Sequence, residues 1–192
     1  AYSKNAMTSS NPTWSTSNVL TTPINNSNWL LQAIGNNKGI IIDQDVGTTG
    51  VLDFTTGNFT NGGVFPMNNG VPVGLVYGRS DISAIFVATL TQTLTTPTLV
   101  YSTDNGANWI TYDLTSKGIL GNINGVAYNP LRNRWVLSAF DGTTNRFYYS
   151  SSATDAFQAM TWTKANGTAN QALTKISGGA LAGGGYGFAI GC

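Results

Sequence analysis

Hydrophobic positions along the chain fall in short runs: GIIID from Gly39, GLVY from Gly74, AIFVATL from Ala84, LVYS from Leu99, WITYDL from Trp109, GVAY from Gly125, RWVLSAF from Arg134, RFYYS from Arg146, MTWTKA from Met160 and GFAIG from Gly187. The runs are rich in β-branched and aromatic residues, and no long segment places apolar residues at i, i+3, i+4 and i+7. Thr, Asn and Gly interrupt every stretch that would otherwise pass for a helix. The pattern predicts an all-β chain. Between the runs stand Asn61-Gly62, Asn69-Gly70, Asn105-Gly106, Asn124-Gly125, Asp141-Gly142 and Asn166-Gly167. These dipeptides favour tight hairpins because both residues tolerate positive φ.

The runs repeat in a larger order. Leu31 to Asp43, Gly74 to Ala88, Gly125 to Ala139 and Gly179 to Gly191 each read as an apolar strand, a polar turn and a second apolar strand. A second plan, Tyr-Ser, a loop, then Trp and a strand, occurs at Tyr2 to Thr16, Tyr101 to Tyr112 and Tyr149 to Lys164, and Val51 to Phe65 occupies the same slot without the Trp. A repeat of about 50 residues holding four short strands predicts β-propeller blades, which stack because one four-stranded sheet cannot bury both its faces alone. The expectation is a single propeller domain, or propeller fragment, over residues 1–192. It has a half blade at 1–19, blades at about 28–66, 72–116 and 119–165, and a half blade at 173–192. Either the two halves pair as a fourth blade and close a small ring, or the chain belongs to a larger propeller; its start at Ala1 rather than Met fits the second case.

Composition narrows the function classes. Of 192 residues, 41% are hydrophobic and only 9% charged, with solubility supplied by Asn, Thr, Ser and Gly. His and Glu are absent, which removes Ser-His and Cys-His nucleophilic couples and His-based metal ligation. A net charge of +1 without a basic run gives no footprint for nucleic acid or anionic lipid. No apolar run approaches the roughly 20 residues of a membrane helix, and no charged-then-apolar leader opens the chain, so membrane insertion is not expected. The lone Cys192 can form no internal disulfide. Three sequons (Asn25, Asn58 and Asn166) are what a chain rich in Asn and Thr generates by chance.

One segment carries a motif. Ser102-Thr103-Asp104-Asn105-Gly106-Ala107-Asn108-Trp109 resembles the Asp-box, or BNR repeat, of sialidases and other propellers. The stretch from Ile123 to Ser152 is similar to Asp-box-bearing repeats of bacteriophage tail and fibre proteins. Only the copy at Ser102 is a full match. Its residues also have a structural reading: Asp104 accepts N–H groups of its own turn, Gly106 takes a conformation that side chains resist, and Trp109 carries apolar area between sheets. In the family this hairpin lies on the outer rim, away from the axial site, so Ser102, Asp104, Gly106 and Trp109 are expected to be structural.

The resemblance to sialidases implies an Arg cluster, a Tyr nucleophile tuned by Glu, and an acid/base Asp. Here Glu is missing, and of Arg79, Arg132, Arg134 and Arg146 two share one turn. An Asp-pair glycosidase is the alternative enzyme, with Asp43, Asp45, Asp81, Asp141 and Asp155 as candidates by type, each in or near a turn. Asp43 and Asp45 are expected on one side of a strand, where Ca²⁺ coordination is conceivable but a solvated strand end is the simpler reading. Trp14, Trp29, Trp109, Trp135 and Trp162 are expected in the core, with exposed tyrosines such as Tyr148 or Tyr186 left to line a ligand face.

Together these observations assign no catalytic residue, cofactor or metal, and select no binding residue. The function expected is a non-enzymatic structural and binding module. It would be a virion or extracellular component such as a tail fibre, with other virion subunits or a host-surface glycan as partners and a homo-oligomer compatible with the sequence. A scaffold for assembly of a larger complex is a third reading.

Overall fold

The computed structural model describes residues 2–3, 14–15, 28–35, 37–80, 83–90, 96–152, 155–169, 175–180 and 186–191. They form an all-β structure of antiparallel sheets, with two short 3-10 turns at Met67–Asn69 and Thr115–Lys117. Three sheets are four-stranded meanders in chain order. The first holds β3 (Trp29–Gly35), β4 (Lys38–Asp43), β5 (Thr48–Asp53) and β6 (Phe59–Val64). The second holds β7 (Pro72–Ser80), β8 (Ser83–Leu90), β9 (Thr98–Ser102) and β10 (Ile110–Asp113). The third holds β11 (Asn122–Asn129), β12 (Arg134–Phe140), β13 (Asn145–Ser150) and β14 (Trp162–Ala169). Two-stranded pairs flank them: β1 (Tyr2–Ser3) with β2 (Trp14–Ser15), and β15 (Lys175–Ala180) with β16 (Tyr186–Gly191). The first strands meet in succession, β3 against β7, β7 against β11 and β11 against β15.

Period-2 alternation explains the packing, since neighbouring side chains of a strand point to opposite faces. In the second sheet Leu75, Tyr77, Leu90 and Val100 turn toward the first sheet, where they meet Leu30, Ile40, Ile42 and Phe65. Val76, Val87, Leu99 and Tyr101 turn the other way, onto Val126, Trp135, Leu137 and Phe157 of the third-sheet segment. A sheet covered on both faces needs apolar residues at successive positions, and Thr98 to Ser102 are buried without exception. Trp135 is fully buried, and its indole N–H donates to the Arg79 carbonyl at 2.8 Å across the seam. It rests on Gly78, where a Cβ would run into its ring.

The Asn-Gly and Asp-Gly dipeptides divide into two groups. Asn105-Gly106 and Asp141-Gly142 turn the chain between strands, and Asn69-Gly70 closes the first 3-10 turn. Asn61-Gly62, Asn124-Gly125 and Asn166-Gly167 instead lie inside β6, β11 and β14, so the hairpins expected there do not form. At each the ladder register shifts: the pairs Gly50↔Asn61 and Thr48↔Val64 skip Gly62 and Gly63, for example. Glycine accepts the irregular backbone of a bulge as readily as that of a turn, and pairing partners far along the chain decide between the two.

Candidate functional site

The segment Ser102 to Trp109 forms the connection from β9 to β10. Asn105 and Gly106 both hold positive φ, 58° and 81°, which fits an Asn-Gly pair in a tight turn. Ser102 is fully buried beneath the turn; its hydroxyl donates to Asp104 Oδ1 at 2.9 Å and accepts the Gly106 N–H at 2.9 Å. Asp104 Oδ1 also accepts the Asn108 N–H at 2.8 Å, and Oδ2 accepts the Asn108 side-chain amide at 2.7 Å. Partial burial pushes the Asp104 carboxyl up, but the hydrogen bonds from Asn108 and Ser102 outweigh it and leave the pKa below the ordinary value. The motif residues are thus joined to one another.

They are also joined to the first sheet. The Gly106 carbonyl accepts the Gly63 N–H at 2.8 Å, and the buried Thr49 hydroxyl lies 2.8 Å from the Gly106 carbonyl and 2.9 Å from that of Gly63. Trp109 packs edge-on against Phe65 with ring centroids 5.1 Å apart, and its indole N–H reaches Thr49 Oγ1 at 3.4 Å. The bulge at Gly62-Gly63 lets two backbones approach: a Cβ on Gly63 would overlap the Ala107 carbonyl. Beside this latch an open cleft of ≈ 310 Å³ separates the first sheet from the turn.

Four of the other aspartates accept N–H groups of their own turns. Asp43, Asp53 and Asp141 each accept, through Oδ1, the N–H groups two and three residues ahead, and Asp113 accepts the Thr115 N–H. Hydrogen bonds from the Thr144 and Thr143 N–H groups, with the Arg146 guanidinium at 2.5 Å adding its charge, lower the Asp141 pKa to about 2. The Asp53 carboxyl is lowered first by the Thr56 N–H and then by that of Thr55, and the Asp113 carboxyl by Thr115. A carboxylate that accepts N–H bonds is stabilised in its charged form.

Several expectations change. Asp43 ends β4 and Asp45 lies in the turn after it, so they do not share one side of a strand; the Asp43 carboxylate accepts the Asp45 N–H at 2.8 Å. Tyr148, expected to be exposed, is buried at 4% exposure, because its place on β13 opposite Leu137 turns it into the aromatic core. Arg134 leaves the turn it shares in sequence with Arg132, starts β12 and stacks 5.6 Å over the Tyr149 ring. Trp29, Trp109 and Trp162 are half-buried, while Trp135 is fully enclosed. Asp155 sits exposed in the loop between β13 and β14. Asp81, Cys192, Asn25 and the side chains of Trp14 and Tyr186 lie outside the described residues.

Sequence reasoning missed the partner of the motif turn. The Gly62-Gly63 signal was present, but its meaning as a docking platform depends on Gly106 being brought across from the next sheet. The sequence matches no protein-family model and no curated protein.

Proposed function

We propose that the chain is a β-propeller module with a non-enzymatic structural and binding role, a component of a phage virion or tail fibre that presents loops to a host-surface glycan or to neighbouring subunits. The observation that carries the reading is the succession of four-stranded meanders that meet through β3, β7, β11 and β15, the relation expected of blades around an axis. Use of the Ser102 to Trp109 turn as a latch between sheets supports a structural part for that motif. Asp43, Asp53, Asp104, Asp113 and Asp141 spend carboxylate oxygens on their own turns, which favours binding over acid/base chemistry. The low-charge, Asn- and Thr-rich composition and the repeats that resemble phage fibre proteins support the virion setting.

The test combines three measurements on the purified protein: binding to host cells, capture of virion subunits, and infection in the presence of antibodies against it. Binding to either partner together with neutralisation supports the reading. Absence of binding to both, with infection untouched, overturns it, and release of reducing ends from a surface polysaccharide replaces it with the Asp-pair enzyme.

A further inference from the structure

The cleft beside the latch is built from two sheets. Ile34 of β3 and Val51 of β5 give it an aliphatic floor, and Lys38, Asn61, Asp104 and Asn105 stand around it. Its volume, ≈ 310 Å³, falls at the small end of ligand-binding cavities, about 300–1,000 Å³.

We propose that this cleft is a subsite for one or two units of an uncharged saccharide. The proposal rests on the glycan-binding reading above and assigns that binding to particular residues. A pyranose ring has an apolar C–H face and an equator of hydroxyls that both donate and accept. The aliphatic floor fits the first. Asn61 and Asn105 fit the second, because an amide carries two donors and an acceptor and so pairs with a hydroxyl in either sense. Both asparagines are exposed and line the cleft, so their amides are within reach of a ligand there.

The charges also point to a neutral ligand. Lys38 and Asp104 supply one cation and one anion, and neither sign prevails. Asp104 is partly used: Oδ1 accepts Ser102 and Asn108, and Oδ2 accepts one amide N–H. A carboxylate offers about four lone-pair positions, so one acceptor site on Oδ2 is left for a sugar hydroxyl. The walls are preformed, since Lys38, Val51 and Asn61 sit on paired strands and Asn105 on a turn pinned by Ser102 and Asp104. Preformed walls spare the ligand the cost of ordering them.

The probes are glucose, galactose, mannose, N-acetylglucosamine and their β1→4 and α1→4 disaccharides, titrated into the ¹⁵N-labelled full chain. Glycine and inorganic phosphate serve as charged competitors. At least one saccharide is expected to shift the amide resonances of Ile34, Asn61 and Asn105 together, with saturation. Lys38→Met and Asn105→Gly, the latter compatible with the positive φ, are expected to raise the half-saturation concentration at least tenfold. Thr60→Trp, which fills the cleft from an exposed position, abolishes the shifts. Leu131→Ser, an exposed site between β11 and β12, leaves them unchanged. Near-UV circular dichroism confirms that each variant is folded.

Saccharide shifts centred on other residues overturn the cleft and leave the glycan-binding reading in place. Displacement of the sugar by glycine or phosphate at equal concentration overturns the uncharged class. Lack of response to every probe overturns the proposal, while binding of the same preparation to host cells then decides the wider reading separately.

Discussion

Gly63→Ala tests the latch between the first two sheets with a single methyl group. Gly63 sits on the bulge of β6, and the added Cβ would overlap the backbone carbonyl of Ala107 rather than the end of a flexible side chain. Relief requires the turn to move away from β6. Overpacking of this kind costs about 1–3 kcal/mol. Displacing the turn also weakens the Gly63 N–H bond to the Gly106 carbonyl and the contacts of Thr49, adding about 0.5–1.5 kcal/mol per bond. With about one bond lost the sum is about 1.5–4.5 kcal/mol, equivalent to a melting midpoint lower by about 3–18 °C at this chain length. Urea denaturation and calorimetry measure the loss. The Trp109 indole N–H resonance, set by Thr49 Oγ1, reports whether the latch itself has moved. Gly118→Ala is the control: it has positive φ but no atom within 4 Å of the new Cβ, so it carries only the left-handed strain of about 1–2 kcal/mol and leaves that resonance in place. A Gly63→Ala protein within about 0.5 kcal/mol of the parent, with the Trp109 indole signal unmoved, would refute the reasoning.

Three further outcomes follow from the same geometry. Ser102→Ala leaves the Gly106 N–H unpaired under the turn and removes a donor from Asp104; it is expected to cost about 1–3 kcal/mol, and a double-mutant cycle with Asp104→Asn should show coupling between the two in chemical denaturation. Asp53, Asp104, Asp113 and Asp141 have folded pKa values below the unfolded value, so their contribution is fully present above pH 3.8 and is lost as pH falls through the folded values, last of all for Asp141 at about 2. Melting temperature measured from pH 6 to 2 should therefore drop mainly below pH 4, with an acid limb that Asp141→Asn shortens. Burial pushes the Tyr112 phenol up to about 12 from 10.0, so its stabilisation holds below pH 10 and is lost between pH 10 and 12; ultraviolet difference titration of Tyr112→Phe against the parent isolates that late-ionising phenol.

The strand runs were legible because their information is local. AIFVATL, RWVLSAF and RFYYS lie within or along β8, β12 and β13, and their β-branched and aromatic content needs no knowledge of a partner to be read as strand. The turn propensity of Asn105-Gly106 was legible for the same reason. What could not be read locally was pairing. Asn61-Gly62 has the same two residues as Asn105-Gly106, yet one is a bulge and the other a turn, because Gly50 and Thr48 pair around the first. Tyr148 shows the same limit: only the register with Leu137 fixes which face it takes. The candidate cleft was invisible in sequence, since Lys38 and Asp104 come together only when two sheets do.

The seams on either side of the second sheet differ in kind. The one toward the third sheet is a broad aromatic and aliphatic layer that includes Tyr101, Tyr112, Tyr128, Trp135 and Phe157, whereas the one toward the first sheet is a smaller apolar cluster closed by the backbone latch at Gly63 and Gly106. Apolar burial weakens on cooling. Chilling is therefore expected to take a larger share of the third sheet's attachment than of the first sheet's, part of which rests on backbone hydrogen bonds, and amide hydrogen exchange at the two seams measured on cooling checks the difference.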